Sequence, residues 1–260
     1  MNFDSVGGAI LAISLTMPRI AAAFLMLPVL TNESMPALVR NSFFVSLSIV
    51  AFPFAAASSP IQKMGGILWF GIVLKEIFIG LCIGFMFGLV FWAIGNVGNI
   101  IDTKAGSTIA SVIDPMQGHQ TSLTASFLSR LAGWLFMASG GFMVFLNILL
   151  GSYAVWPVTS GFPTLSKAGE ILFIDGFAGL MTMSLVLAAP ALVVLALVDM
   201  CLGLINRYAQ QLNVFALSLS IKTWLSTWIV LLCLGVFVDF VLRQIAKSSD
   251  LLEVLSRALG

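Results

Sequence analysis

Five stretches of this chain run without a charged residue: 41–62, 77–101, 131–166, 176–198 and 223–238. A helix that crosses a bilayer needs about 20 mostly apolar residues. The first four stretches reach that length, and the fifth reaches it when Lys222 or Asp239 lies at an interface. A further apolar stretch, Val6 to Leu30, is interrupted by Pro18, Arg19 and Pro28. The pattern places about six hydrophobic helices, near 6–30, 38–58, 66–98, 124–153, 171–199 and 212–242. Lipid satisfies no open backbone, so only helices and closed barrels span it. Barrel strands alternate polar and apolar residues, and stretches such as "IVLLCLGVFV" do not. The expected fold is all-α, a polytopic helical membrane protein.

Charge supports this reading and excludes others. Only 9% of the 260 residues are charged, against about 25% in a soluble domain. A net charge of +1 gives no pull on nucleic acid. The start, "MNFDSVGGAI", lacks the basic n-region of a cleaved signal, so the first span is expected to be kept. The short C-terminal tail, about 243–260, carries Arg243, Lys247 and Arg257, which favours a cytoplasmic C-terminus. Cys82, Cys201 and Cys233 stand apart in apolar stretches, with no C-x-x-C, and read as inert thiols. The single His119 supports no His-rich metal site, and no G-x-S-x-G occurs. Neither catalysis nor a cofactor is expected.

Some helix faces are marked to meet protein. Gly80, Gly84 and Gly88 lie four apart on one face, the spacing that lets two helices approach closely in a membrane. Gly84→Leu is therefore expected to cost a hetero-complex while the chain still inserts. Glu76 lies one turn earlier on the same face, beside Lys75. A carboxylate in lipid is costly, so Glu76 should face protein or water. For the Lys75–Glu76 pair, helix packing and a functional polar contact both stay open. Asp199 sits deep in "VLALVDMCLGL" and shares a face with Gly203; Lys222 or Arg207 could supply its counter-charge. A relay through Lys75, Glu76, Asp199 and Lys222 would fit a secondary transporter or a proton-conducting channel subunit. The matching halves such a protein would show are not evident.

Between the third and fourth spans stands a long polar segment, "NIIDTKAGSTIASVIDPMQGHQTSL", from Asn99 to Leu123. Irregular polar backbone at membrane depth is tolerated only against protein or a water-filled cavity. Residues 103–118 are rich in Ala, Gly, Ser and Thr, and Asp114–Pro115 is a turn signal. Ile109, Val112, Ile113 and Met116 argue against free solvation. Asp102 and Asp114 are expected to anchor this loop by hydrogen bonds rather than to bind ions.

Six separated motifs then stand in order: "PRIAAAFLMLPVL", "PALVRN", "KEIFIGLCIGF", "GNIIDTKAGSTIASVIDPMQG", "SYAVWP" and "RYAQQLNVFALSLSIK". In this order the chain resembles the SctT/FliR family over roughly residues 15 to 242. That family is the T component of the type III secretion export apparatus and its flagellar counterpart. The last motif looks like the injectisome branch. Where the family often carries proline, this chain has Gln210 and Ser220, which removes the ground for a proline kink at either place. The resemblance implies helical hairpins packed in a hetero-oligomeric export gate with the SctR and SctS components, with SctU associated. Unfolded secretion substrates would pass through it. It also implies the bacterial inner membrane, a multi-pass chain, and a gate that can sit partly above the bilayer plane. By resemblance, residues 103–118 plug the closed channel, with Ala105, Gly106, Pro115 and Gly118 as compact members beside the apolar ones and Asp114.

Overall fold

In a computed structural model, the described residues are 3–28, 36–56, 66–106, 122–164, 166–208, 214–248 and 251–259. Among them every regular element is helical: α1 (Phe3–Leu25), α2 (Ala37–Ala56), α3 (Gly66–Ala105), α4 (Leu123–Ala138), α5 (Gly141–Val155), α6 (Lys167–Tyr208), α7 (Val214–Lys247) and α8 (Leu251–Ala258). The fold is all-α. Three helices, α3, α6 and α7, are long and apolar enough to cross a membrane; α4 and α5 supply a fourth if read as one broken span.

The long helices outrun their hydropathy. At 1.5 Å per residue, the 40 residues of α3 and the 42 of α6 extend about 60 Å, twice a hydrocarbon core. Hydropathy ends where charges begin, but a helix ends where its backbone is stopped. For α3 the stop is Gly106, whose φ of +87° only glycine adopts freely. Its N–H donates to the carbonyls of Asp102 (3.1 Å) and Thr103 (3.2 Å). The segment expected to be loop from residue 103 is thus helical through Ala105. α7 runs unbroken through Ser220, where no proline stands; Gln210 lies outside the described residues.

Two expectations are corrected. The single helix expected over 124–153 breaks at Gly140, which has φ +79°. Gly140 closes α4 by donating to the Met137 carbonyl (3.3 Å) and opens α5 by accepting from the Met143 N–H (3.0 Å). An uncharged run hides such a break, because hydropathy does not register backbone handedness. The tail expected at 243–260 is not a plain tail either. α7 continues to Lys247, and α8 follows, burying Leu255 and Ala258.

The chain divides into two compact units. Unit 1 holds residues 1–89, 136–176 and 244–260. An aromatic cluster fills part of its core: Phe24 lies edge-on to Phe145, with centroids 5.0 Å apart, and also meets Phe43 and Phe44. Phe87 meets Phe145 at 5.1 Å. Ser166, which caps α6 by accepting from the Gly169 N–H, also holds α8: its N–H and hydroxyl both donate to the Ala258 carbonyl. Unit 2 holds residues 90–135 and 177–243. There α3 packs on α4 at Gly98, where an added Cβ would fall within 3.0 Å of the Ala125 backbone. Ser184 of α6 donates to the Ala93 carbonyl of α3 (3.2 Å).

Candidate functional site

Three motifs that stand far apart in the chain meet inside unit 1. Arg19, Glu76 and Ser152 are fully buried. The Arg19 guanidinium grips Glu76 with two bonds, Nε to Oε2 at 2.8 Å and Nη2 to Oε1 at 2.9 Å. This is the paired geometry in which Arg matches a carboxylate best. Two further donors go to Ser152 Oγ (2.9 Å) and the Trp156 carbonyl (2.8 Å). The guanidinium carbon also lies 4.0 Å from the centre of the Tyr153 ring, within cation–π range. The Tyr153 hydroxyl donates back to the Thr16 carbonyl of α1 (2.7 Å).

Lys75 completes the cluster. Its Nζ lies 3.2 Å from Glu76 Oε1 and donates to the carbonyls of Pro157 and Val158, both at 2.7 Å. Two cations and one carboxylate leave a formal excess of one positive charge. That excess sits against carbonyls just past the C-terminus of α5, the end of a helix that carries partial negative charge. The arrangement therefore balances in place and ties α1, α3 and α5 together.

Gly80 and Gly84 make this grip possible. A Cβ at Gly80 would fall within 3.0 Å of the Arg19 carbonyl oxygen, and one at Gly84 within 3.0 Å of the Ala23 backbone. The helix they admit is α1 of the same chain. The close approach at Gly84 thus lies within the subunit, so Gly84→Leu would disturb the packing of α1 on α3 as well as any hetero-complex built on it. Gly88 is buried as well.

At the stem of the polar segment, Asp102 is 5% exposed. Its Oδ2 accepts from the Ser122 hydroxyl (2.6 Å) and the Thr124 N–H (3.0 Å), and its Oδ1 from the Thr124 hydroxyl (2.6 Å). Ser122 in turn caps α4 by accepting from the Ala125 N–H (3.0 Å). A negative carboxylate at a helix N-terminus is placed where the helix field favours it. One side chain thus holds both ends of the segment between Gly106 and Ser122. Ala105 is buried. Ile109, Val112, Ile113, Asp114, Pro115, Met116 and Gly118 lie outside the described residues.

Asp199 lies between two lysines. Lys222 of α7 approaches its Oδ1 at 2.9 Å and Lys104 of α3 its Oδ2 at 3.1 Å. Asp199 is half-exposed rather than deeply buried. Arg207 is exposed in the last turn of α6, which corrects its expected place among buried polar groups. Eight residues separate it from Asp199, about two helical turns, while Lys222 and Lys104 reach the carboxylate from neighbouring helices. Sequence reasoning missed Arg19 and Lys104 as partners. The available signal was that "PRIAAAF", "KEIFIG" and "SYAVWP" each carry polar groups in apolar surroundings.

Long apolar helices, internal ion pairs tying them, and a capped polar segment between two of them define a multi-pass helical membrane protein. The family model for bacterial export proteins, family 1, matches residues 10–248. Yop proteins translocation protein T of Yersinia pestis is 35% identical over 233 residues, 89% of each chain. Surface presentation of antigens protein SpaR of Salmonella typhimurium is 32% identical over 235 residues, 90% of this chain and 87% of that one. Flagellar biosynthetic protein FliR of Bacillus subtilis is 28% identical over 243 residues, 93% of each. The chain belongs to this family of bacterial export proteins, the SctT/FliR family of the type III export apparatus.

Proposed function

We propose that this subunit helps to form and to close the channel of a type III export gate in the bacterial inner membrane, and that residues 103–118 are its closing element. It would assemble with the SctR and SctS components, with SctU associated, and unfolded secretion substrates would pass through the assembled gate. Its role is structural, with no reaction of its own.

The observation that carries the closing role is the Asp102 clamp. A buried carboxylate accepting three hydrogen bonds holds the two ends of the segment together. The clamp fixes Asp102 against Ser122 and Thr124, so the two flanks of the segment are held at one place, as a closing element requires. The segment's composition fits the task. Ala105, Gly106 and Gly118 allow close packing, and Ile109, Val112, Ile113 and Met116 supply an apolar constriction. Such a constriction can close a pore by dewetting.

Two measurements test this reading. Native mass analysis of the detergent-extracted chain, co-expressed with its genomic neighbours, should give a hetero-complex with other small membrane proteins. A monomer or a symmetric homodimer would contradict it. Cells carrying the full apparatus with Gly106 to Val112 deleted should assemble it and grow poorly under added salt. Growth equal to wild type, with the complex assembled, would remove the closing role.

A further inference from the structure

We propose that Asp199 is the positioning residue for the stem of the 103–118 segment, set by α7 through Lys222 and acting on α3 through Lys104. Its consequence for closure rests on the closing role proposed above; the positioning itself does not.

The last turn of α3 is gripped from two sides within unit 2. Asp102 and Lys104 are two residues apart, about 200° around a helix, so they point in different directions. Asp102 reaches α4; Lys104 reaches Asp199 of α6. The two grips differ in kind. Asp102 is buried and bonded to hydroxyls and an amide. The Lys104–Asp199 pair is 41% and 36% exposed, and half-exposed ion pairs are weak and exchange readily. The first grip is therefore the fixed one and the second the adjustable one.

Asp199 is also shared. One oxygen serves Lys104 and the other Lys222. A shift of α7 that drew Lys222 away would reorient the carboxylate and change its hold on Lys104. The helices that carry Asp199 and Lys222 leave apolar surface uncovered beside them: Leu197, Met200 and Leu204 of α6 and Trp224, Trp228 and Leu231 of α7 are exposed. A neighbour or lipid covering that surface would bear directly on α6 and α7. Asp199 stands where those helices reach the end of α3, two residues before Gly106 stops it.

The test uses the full chain in its assembled complex. Cys201 and Cys233 are replaced by alanine, Ala105→Cys reports on the stem, and native Cys82 reports on general unfolding. Ala105 and Cys82 are both buried. Labelling by a charged, water-soluble maleimide is followed at each site. Asp199→Asn should raise the rate at position 105 about fivefold, the opening expected when a pair at the upper end of the partly exposed range is lost. Cys82 should be unaffected. The sign-inverted variant K104E/D199K/K222E should restore the slow rate. An unchanged rate at position 105, or a matching rise at Cys82, would overturn the proposal. If Asp199→Asn does not accumulate, raising ionic strength on the otherwise native chain decides instead. The rate at 105 should climb as salt screens the pair, and a flat profile would overturn the proposal. Salt leakage in the Gly106–Val112 deletion separates the two ideas: a tight deletion removes the closing role, while the labelling still decides the positioning.

Discussion

At the scale of the residue, the interior charges of unit 1 are a packing device. Arg19 and Glu76 are both fully buried and each satisfies the other. Removing one partner strands the other in an apolar interior, which costs about 3–5 kcal/mol, whereas replacing both by apolar side chains is often neutral. Glu76→Gln and Arg19→Met should each lower the unfolding temperature of the purified subunit sharply. Because Glu76 also pairs with the buried Lys75, the variant that removes all three charges, Arg19→Met/Lys75→Met/Glu76→Met, should lose less than either single change. Equal or additive losses would show that the cluster is not acting as a unit. The glycines belong to the same device. Gly84→Leu should make the chain protease-sensitive even when expressed without partners, because α1 can no longer lie against α3. Normal accumulation with only the complex lost would return that face to a role between subunits.

At the scale of the element, the helices were legible in sequence and their ends were not. Uncharged runs located α2, α3, α6 and α7, because apolar length is what hydropathy measures. The break at Gly140 was not legible, since glycine in an apolar run reads equally as packing or as a turn. Nor was α8, whose eight residues mix charge and leucine as an ordinary tail does. The charge cluster was half legible: Glu76 was marked as needing a partner, but nothing in the spacing of residues 19, 76 and 152 says that they meet. That is decided by three helices packing. α8 has a testable consequence of its own. It buries Leu255 and Ala258 and holds Ser166 through the Ala258 carbonyl. Truncation after Ser248 should therefore expose the stretch 156–166, which supplies carbonyls to Lys75, to limited proteolysis. Cleavage there at the wild-type rate would show that α8 does not support it.

At the scale of the whole molecule, the subunit combines permanent and adjustable fastenings. Buried pairs and close glycine contacts fix α1, α3 and α5 within unit 1. In unit 2 the end of α3 is held by a buried carboxylate on one side and by a half-exposed ion pair on the other. Family membership places these features in a type III secretion export apparatus. The most direct test of the closing role is the conductance of the purified hetero-complex in planar bilayers. Complexes carrying wild type, Asp102→Ala and the Gly106–Val112 deletion would be compared at equal assembly. Wild type should stay closed, Asp102→Ala should flicker open as its untied segment leaves and returns, and the deletion should conduct persistently. A fully assembled deletion complex as tight as wild type would contradict the account and leave residues 103–118 a plain connection between α3 and α4.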